Sequence, residues 1–182
     1  MFSLERNLAS LLEQGEIKTV LDLGAGTGTY SIFCASYGCK VIAVDTQTMK
    51  QWKYPDYLLT HPNIIFYNSD INHLSQSYLD QSYDLILLFN VVPFIDKQHF
   101  LQLLLPHYLD KLTGKGKLCL TFFFADDETM SQHQPLAFYS LSDFVLPKGY
   151  KTMVQQNEKV EDIHPPYGKH KHHIGYIEIS KT

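Results

Sequence analysis

No apolar run in the sequence reaches the ~18 residues that a membrane-spanning helix requires, so no membrane association is expected. Positive charge is also in short supply. Fifteen Lys and Arg stand against nineteen Asp and Glu, a net charge of −4. Such a chain lacks the basic field that holds DNA or RNA, and no nucleic-acid partner is expected. Cysteine is sparse. Cys34, Cys39 and Cys119 show no metal-ligand spacing and sit among mostly apolar neighbours, as small buried residues of a reducing compartment do. The opening residues, Met1-Phe2-Ser3-Leu4-Glu5-Arg6, lack the basic and apolar regions of a secretory signal. A cytoplasmic location is therefore expected. No internal repeat, low-complexity tract or linker divides the chain, and its length suits one domain over 1–182.

What is present is a regular alternation of strand-like and helix-like segments. Leu4, Leu8, Leu11 and Leu12 fall on one helical face, capped by Ser3 and ended by Gly15. Lys18 to Leu23 reads as a buried strand, Thr29 to Tyr37 as a helix, and Lys40 to Val44 as a second strand ending in Asp45. Met49 to Thr60 reads as a helix interrupted by Pro55, then Ile64 to Tyr67 as a strand with Asp70 beyond it. Tyr83 to Phe89 is a fourth strand, and Lys97 to Leu112 a helix bent or restarted at Pro106. Gly114 to Gly116 turns into a fifth strand, Lys117 to Phe124. A short helix over Ser140 to Leu146 precedes two extended runs, Lys151 to Ile163 and Lys171 to Ile179. Pro165-Pro166-Tyr167-Gly168 joins them. Alternation predicts a parallel sheet with helices on both faces, and the short final turn requires an antiparallel ending.

The chemistry concentrates in Val20-Leu21-Asp22-Leu23-Gly24-Ala25-Gly26-Thr27-Gly28. Three alternating glycines let a backbone approach its ligand or adopt positive φ. The third comes one residue early for the dinucleotide pattern G-x-G-x-x-G, and Asp22 would place a negative charge beside a pyrophosphate. No Gly-Lys-Ser/Thr follows, so no Walker loop is present. Two more acids, Asp45 and Asp70, punctuate the next two strand ends, and strand ends converge on one crevice in doubly wound sheets. Asp45 lies at the ~20-residue spacing of an acid that accepts ribose hydroxyls.

The run resembles the first motif of S-adenosylmethionine (SAM)-dependent methyltransferases of the Rossmann-like class. That resemblance implies a seven-stranded α/β fold, mostly parallel with an antiparallel C-terminal hairpin, and SAM as cofactor. It implies that Asp22, Gly24, Ala25, Gly26 and Gly28 hold the amino-acid tail. Asp45, Thr46 and Met49 would hold ribose and adenine, Asp70 and Ile71 the adenine edge and face, and Asn90 the methionine side. The loop Phe89-Asn90-Val91-Val92-Pro93-Phe94 departs from the Asn-Pro-Pro-aromatic run of amide and amine methylation. Phe94 is either an apolar wall or core.

Four of nine histidines fall late in the chain: His164, His170, His172 and His173. A solvated hairpin tip, a metal site and a lip over the methyl acceptor are all compatible with that pattern. His170 and His172 share one strand face, but no Cys or carboxylate set completes a recognisable motif, and no metal ligand is assigned. Pro135-Leu136-Ala137-Phe138 and the closing hairpin resemble the tellurite-resistance branch of the methyltransferases. There a Leu-His-Arg run and a later basic residue face the acceptor. Ile163-His164-Pro165 keeps the histidine and loses the arginine, and His170 or Lys169 falls near the later position. His164 and His170 are the implied catalytic residues. The expected reaction is in-line methyl transfer to a small molecule, such as a thiol or a tellurium or selenium oxyanion. The rivals are a SAM-binding or metal-responsive protein without turnover, and a nicotinamide oxidoreductase.

Overall fold

The computed structural model describes residues 4–47, 61–130, 136–164 and 168–182. Its strands are β1 (Thr19–Leu23), β2 (Lys40–Asp45), β3 (Ile64–Asn68), β4 (Tyr83–Leu88), β5 (Leu112–Phe124), β6 (Phe138–Tyr139), β7 (Tyr150–His164) and β8 (Gly168–Lys181). They form one sheet in the order β3-β2-β1-β4-β5-β8-β7, with β6 paired to β5. Neighbours from β3 to β5 are parallel, and β8 is antiparallel to both β5 and β7. The expected parallel sheet and antiparallel ending are both observed. The eighth strand is β6, two residues that extend the carboxyl end of β5.

Successive residues of the central strands enter opposite cores, as the two-residue period dictates. Leu21, Leu23, Ile42, Val44, Ile86, Leu88, Leu118 and Leu120 face one side. There they meet Phe100, Leu104 and Tyr108. Val20, Val41, Leu85, Leu87 and Cys119 face the other. There they meet Leu8, Leu11 and Leu12 of α1 (Leu4–Leu12) and Cys34 and Ala35 of α2 (Thr29–Ser36). The three cysteines are free and buried. Burial pushes the Cys119 thiol up to about 12, which keeps it a protonated core group. Among the described residues no helix is long and apolar enough to cross a membrane.

Three boundaries differ from expectation. The helix after β4 is interrupted: α3 (Lys97–His99) passes through a π turn, Phe100–Leu104, into α4 (Leu105–Asp110). Pro106 lacks an N–H and crowds the carbonyl four residues back, and the wider turn accommodates both. Strand β5 begins at Leu112, before the glycines. Leu112 pairs with Tyr83, then the register shifts and pairing resumes between Lys117 and Leu85. The glycines form the bulge, where a Cβ on Gly116 would lie 2.8 Å from the Tyr83 carbonyl. Ser140 to Leu146 makes only one 3₁₀ turn, Leu141–Asp143, closed by a reciprocal Ser140–Asp143 cap. The backbone leaves helical geometry at Phe144 (φ −82°, ψ 68°), and Pro147 disfavours its resumption at Leu146. The segment from Met49 to Thr60 lies outside the described residues.

Gly175 fixes how β8 crosses the sheet. A Cβ there would lie 2.3 Å from Phe122 Cζ, against a rigid ring packed between Phe124, Tyr139 and Phe144. Gly175→Ala is expected to destabilise the fold by about 1–3 kcal/mol through overpacking. Adding Phe122→Leu should recover part of the loss in a double-mutant cycle read by thermal denaturation. Additive losses would show that ring and glycine are independent.

Candidate cofactor and acceptor site

The site grows from the turn after β1. Gly24 and Ala25 both donate their N–H groups to the Val44 carbonyl, at 2.8 and 3.0 Å, so the turn hangs from β2. Gly24, Gly26 and Gly28 have φ of 73°, 53° and 74°. At Gly24 space is closed as well, because a Cβ would lie 2.5 Å from Val91 Cγ2. At Gly26 the nearest atom to such a Cβ is 3.9 Å away, so the turn is open on that face.

The three acids stand at the carboxyl ends of their strands. Asp45 Oδ2 accepts from the Gly26 N–H and Oδ1 from the Gln47 N–H, both at 2.7 Å. Asp70 Oδ1 accepts from the Asn72 N–H at 2.9 Å and its side-chain amide at 2.8 Å. Each carboxylate offers about four acceptor positions, so both retain capacity for a ligand. The buried Tyr108 hydroxyl donates to the Ile71 carbonyl at 2.6 Å and fixes the residue beside Asp70. Asn90 has a φ of 57° without being glycine, held by its N–H bond to Thr121 Oγ1 at 2.8 Å. Such strain is characteristic of functional positions.

Asp22 lies beneath the turn and is buried. Ser31 Oγ donates to its Oδ2 at 2.6 Å. Burial, and then the neighbouring Asp45 charge, push its carboxyl up from the ordinary 3.8 to about 6.

Two clefts meet at Gly24. One, of about 250 Å³, is lined by Asp45, Thr46, Ser69, Asp70, Ile71, Asn72, Val91, Phe94 and Ile95. The other, of about 280 Å³, is lined by Ala25, Gly26, Thr27, Thr29, Tyr30, Phe89 and Asn90. Phe94 is 69% exposed, so it is a wall and not core. A larger cavity of about 530 Å³ lies around Lys18, Asp84 and Lys115, at the amino ends of the strands. Ligands of doubly wound sheets bind at the carboxyl ends, which selects the smaller pair. Among the described residues, none that lines this pair is positively charged, and Asp22, Asp45 and Asp70 set a negative potential there that disfavours a pyrophosphate. A cationic, phosphate-free nucleoside such as SAM fits this donor set. Of the eleven residues expected to bind it, eight line this crevice; Asp22 is buried beneath the turn, Gly28 caps α2 behind it, and Met49 lies outside the described residues.

The hairpin tip forms a second cluster. Strand β5 ends its pairing with β8 at Phe123–Ile174, while the β7–β8 ladder continues to His164–Gly168. Asp126, Asp127 and Glu128 take over where β5 stops. Glu128 Oε2 accepts from the Lys171 N–H at 2.8 Å and Asp127 Oδ2 from the His173 N–H at 2.7 Å. Asp126 bonds His173 Nδ1. His170 is buried, with Nδ1 on the Gly168 carbonyl at 3.0 Å and Nε2 facing His172 Nε2 at 3.0 Å. His164 ends β7 opposite Gly168. The sequence shows no carboxylate to complete the histidine set, but the ladder supplies one: Asp162 pairs with His170. Asp162 is placed by the strand register, and Asp127 by the docking of the loop after β5 on β8.

Fold and site together define a Rossmann-like methyltransferase. The FtsJ-like methyltransferase family model matches residues 5–131, and the chain belongs to that family of SAM-dependent enzymes. No curated protein matches the sequence. Among solved structures, TehB from Haemophilus influenzae aligns with 100% of this chain and 64% of its own, at TM-score 0.75 and 16% identity. This chain thus spans less than two thirds of TehB. Magnesium protoporphyrin IX methyltransferase from Synechocystis PCC 6803, with bound SAM, aligns with 98% of this chain and 79% of its own (TM-score 0.66, 15% identity). The N-methyltransferase NodS from Bradyrhizobium japonicum WM9, in complex with S-adenosylhomocysteine, covers 97% and 84% (TM-score 0.67, 14% identity). At these identities the likeness is one of fold. The methyltransferase resemblance drawn from the glycine run is borne out.

The buried Asp22 charge makes a pH-dependent prediction. Its folded carboxyl holds a proton more tightly than the unfolded one, so its destabilising charge is absent below about pH 4 and complete above about pH 6. Asp22→Asn keeps an acceptor for Ser31 and removes the charge. It should raise stability by up to about 3 kcal/mol above pH 6, with the gain fading toward pH 4. Thermal melts from pH 4 to 8 measure this; a loss of stability at pH 7 would contradict it.

Proposed function

We propose that this enzyme transfers the methyl group of SAM to a small-molecule acceptor at the carboxyl edge of the sheet. The carrying observation is a glycine-lined double cleft whose charged lining residues, among those described, are the carboxylates Asp45 and Asp70. In this reading Asp45 accepts from the ribose hydroxyls, with Thr46 and Met49 beside it. Asp70 accepts from the adenine amino group and Ile71 packs on the ring. Gly24, Ala25, Gly26, Gly28 and Asn90 present the backbone to the methionine portion, and Asp22 supplies negative potential beneath it. When bound, the cofactor supplies a methyl group on a sulfonium, already a good leaving group. The chain therefore contributes alignment, exclusion of water and orientation of the acceptor. Phe94, Tyr30 and Phe89 provide apolar walls; the last two rings meet edge to face at 4.8 Å.

The acceptor side is the histidine hairpin. His164 orients the acceptor or takes its proton, and a soft nucleophile needs little more; the buried His170 has both ring nitrogens engaged, on the Gly168 carbonyl and on His172, and supports the tip. A thiol or a tellurium or selenium oxyanion suits those groups, in keeping with the resemblance of the hairpin histidine to the tellurite-resistance branch. Residues 1–182 act as one domain in this proposal, and the free, buried cysteines favour a cytoplasmic setting.

Calorimetry should detect SAM and S-adenosylhomocysteine binding, and SAM should protect against heat where NAD does not. Asp45→Asn should weaken SAM binding about tenfold to a hundredfold, the worth of a charged hydrogen bond. His164→Ala should reduce turnover with tellurite, selenite or small thiols while leaving SAM affinity intact. Protection by NAD alone would overturn the proposal, and full turnover in His164→Ala would remove that residue from it.

A further inference from the structure

His170 and His172, two residues apart on one face of β8, bring their imidazoles together near the hairpin tip. His170 Nδ1 lies 3.0 Å from the Gly168 carbonyl, which can only accept, so Nδ1 carries the proton. His172 Nδ1 lies 3.2 and 3.3 Å from the two oxygens of Asp127, a carboxylate, and donates likewise. Both Nε2 atoms then present lone pairs, and they stand 3.0 Å apart. Two facing lone pairs repel unless a cation, a proton or a metal ion, is shared between them. Asp162 Oδ2 is 3.9 Å from His172 Nε2, and one donor atom from each of the three residues lies within 4.8 Å of the others.

We propose that Asp162, His170 and His172 form a binding site for a divalent first-row transition metal ion, with zinc(II) as its best-matched occupant. Zinc accepts imidazole nitrogen and carboxylate oxygen at ~2.0–2.2 Å in a tetrahedron, which sets donors about 3.3 Å apart. The observed separations reach that by movements of a few tenths of an ångström at the histidines and inward rotation of Asp162. Three protein ligands leave the fourth position to water or another small donor.

The surroundings are built as metal sites are built. The two histidines are 7% and 8% exposed, and the Asp162 side chain is 48% exposed, which gives the ion a way in. Each histidine is oriented through its other nitrogen, by a carbonyl or a carboxylate, the usual support for a ligating imidazole. Asp127 is itself fixed: Oδ1 accepts from the Thr129 N–H at 2.9 Å and hydroxyl at 2.5 Å, and Oδ2 from the His173 N–H at 2.7 Å. Phe123 stacks on the His172 ring at 4.4 Å and 5°. The ion would join β7 to β8 beside their turn and, through Asp127, join the tip to the loop after β5. The site stands independently of the cofactor cleft, because none of its three ligands lines that cleft.

The test uses the full, untagged chain, stripped with a chelator and titrated with zinc chloride. One equivalent should bind with micromolar or tighter affinity and raise the melting temperature by several degrees. Cobalt(II) in its place should give the visible absorption of a low-coordinate N,O site. His170→Ala/His172→Ala should abolish the binding, and Asp127→Asn should weaken it tenfold to a hundredfold. Asp162→Asn, altered on the exposed side, should weaken zinc binding at least tenfold and leave SAM affinity unchanged, which controls for folding. Absence of zinc binding by the native chain, or undiminished binding in the double variant or in Asp162→Asn, overturns the site; a proton would then hold the imidazole pair. Failure of SAM binding with intact zinc binding would instead count against the cofactor reading alone.

Discussion

The structure depends on one carbonyl. Val44, at the end of β2, accepts from both Gly24 and Ala25 and so ties the turn after β1 to the neighbouring strand. A turn held this way must run in positive φ, which only glycine adopts without strain. Val91 then closes over Gly24 from the far side, where the chain has crossed β1 to form β4. The strand order reverses at this point, and the crevice exists because the connections leave β1 in opposite directions. Asp45 follows Val44 directly, and its bond to the Gly26 N–H joins the acid to the same turn. Glycine turn, acid and crevice are consequences of a single backbone junction.

Charge placement explains why this junction suits one ligand class. A carboxylate buried as Asp22 is costs stability when ionised, and its raised pKa measures that cost. A ligand carrying positive charge recovers part of it, whereas a phosphate adds to it. The carboxylates of Asp45 and Asp70 act in the same sense from the adjoining strand ends.

How much was legible in the sequence follows the range of the interactions. The glycine run, the acids at strand ends and the apolar strands were legible because local pattern and burial dictate them. The helix expected over Ser140 to Leu146 shortens to one turn because the backbone turns at Phe144 to pack its ring on Phe122 and Tyr139, contacts that no local pattern announces. The early start of β5 was missed because it rests on pairing with Tyr83, far away in the chain. The histidine cluster was half legible. Period two places His170 and His172 on one face, but Asp162 joins them only once the hairpin register is known. Asp127 joins only once the loop after β5 has docked, and nothing local to Ala125 to Gln134 announces this.

That docking has its own physical cause. A ribbon that outruns the sheet leaves alternate N–H groups of its inner strand without a β partner, and such groups need acceptors. Here β8 outruns β5 beyond Ile174, and the next N–H groups facing that edge belong to His173 and Lys171. Asp127 and Glu128 supply carboxylate oxygens to these two groups, in place of the backbone carbonyls β5 would have offered. Acids so placed draw in basic partners: Asp127 also meets His172, and Asp126 meets His173 and Lys159. Asp127, whose Oδ2 completes the ladder at His173, also accepts from His172 Nδ1 and so fixes that tautomer and turns its Nε2 toward His170. The need to satisfy a sheet edge thereby orients a ligand pair, and the hairpin's extra length becomes a site.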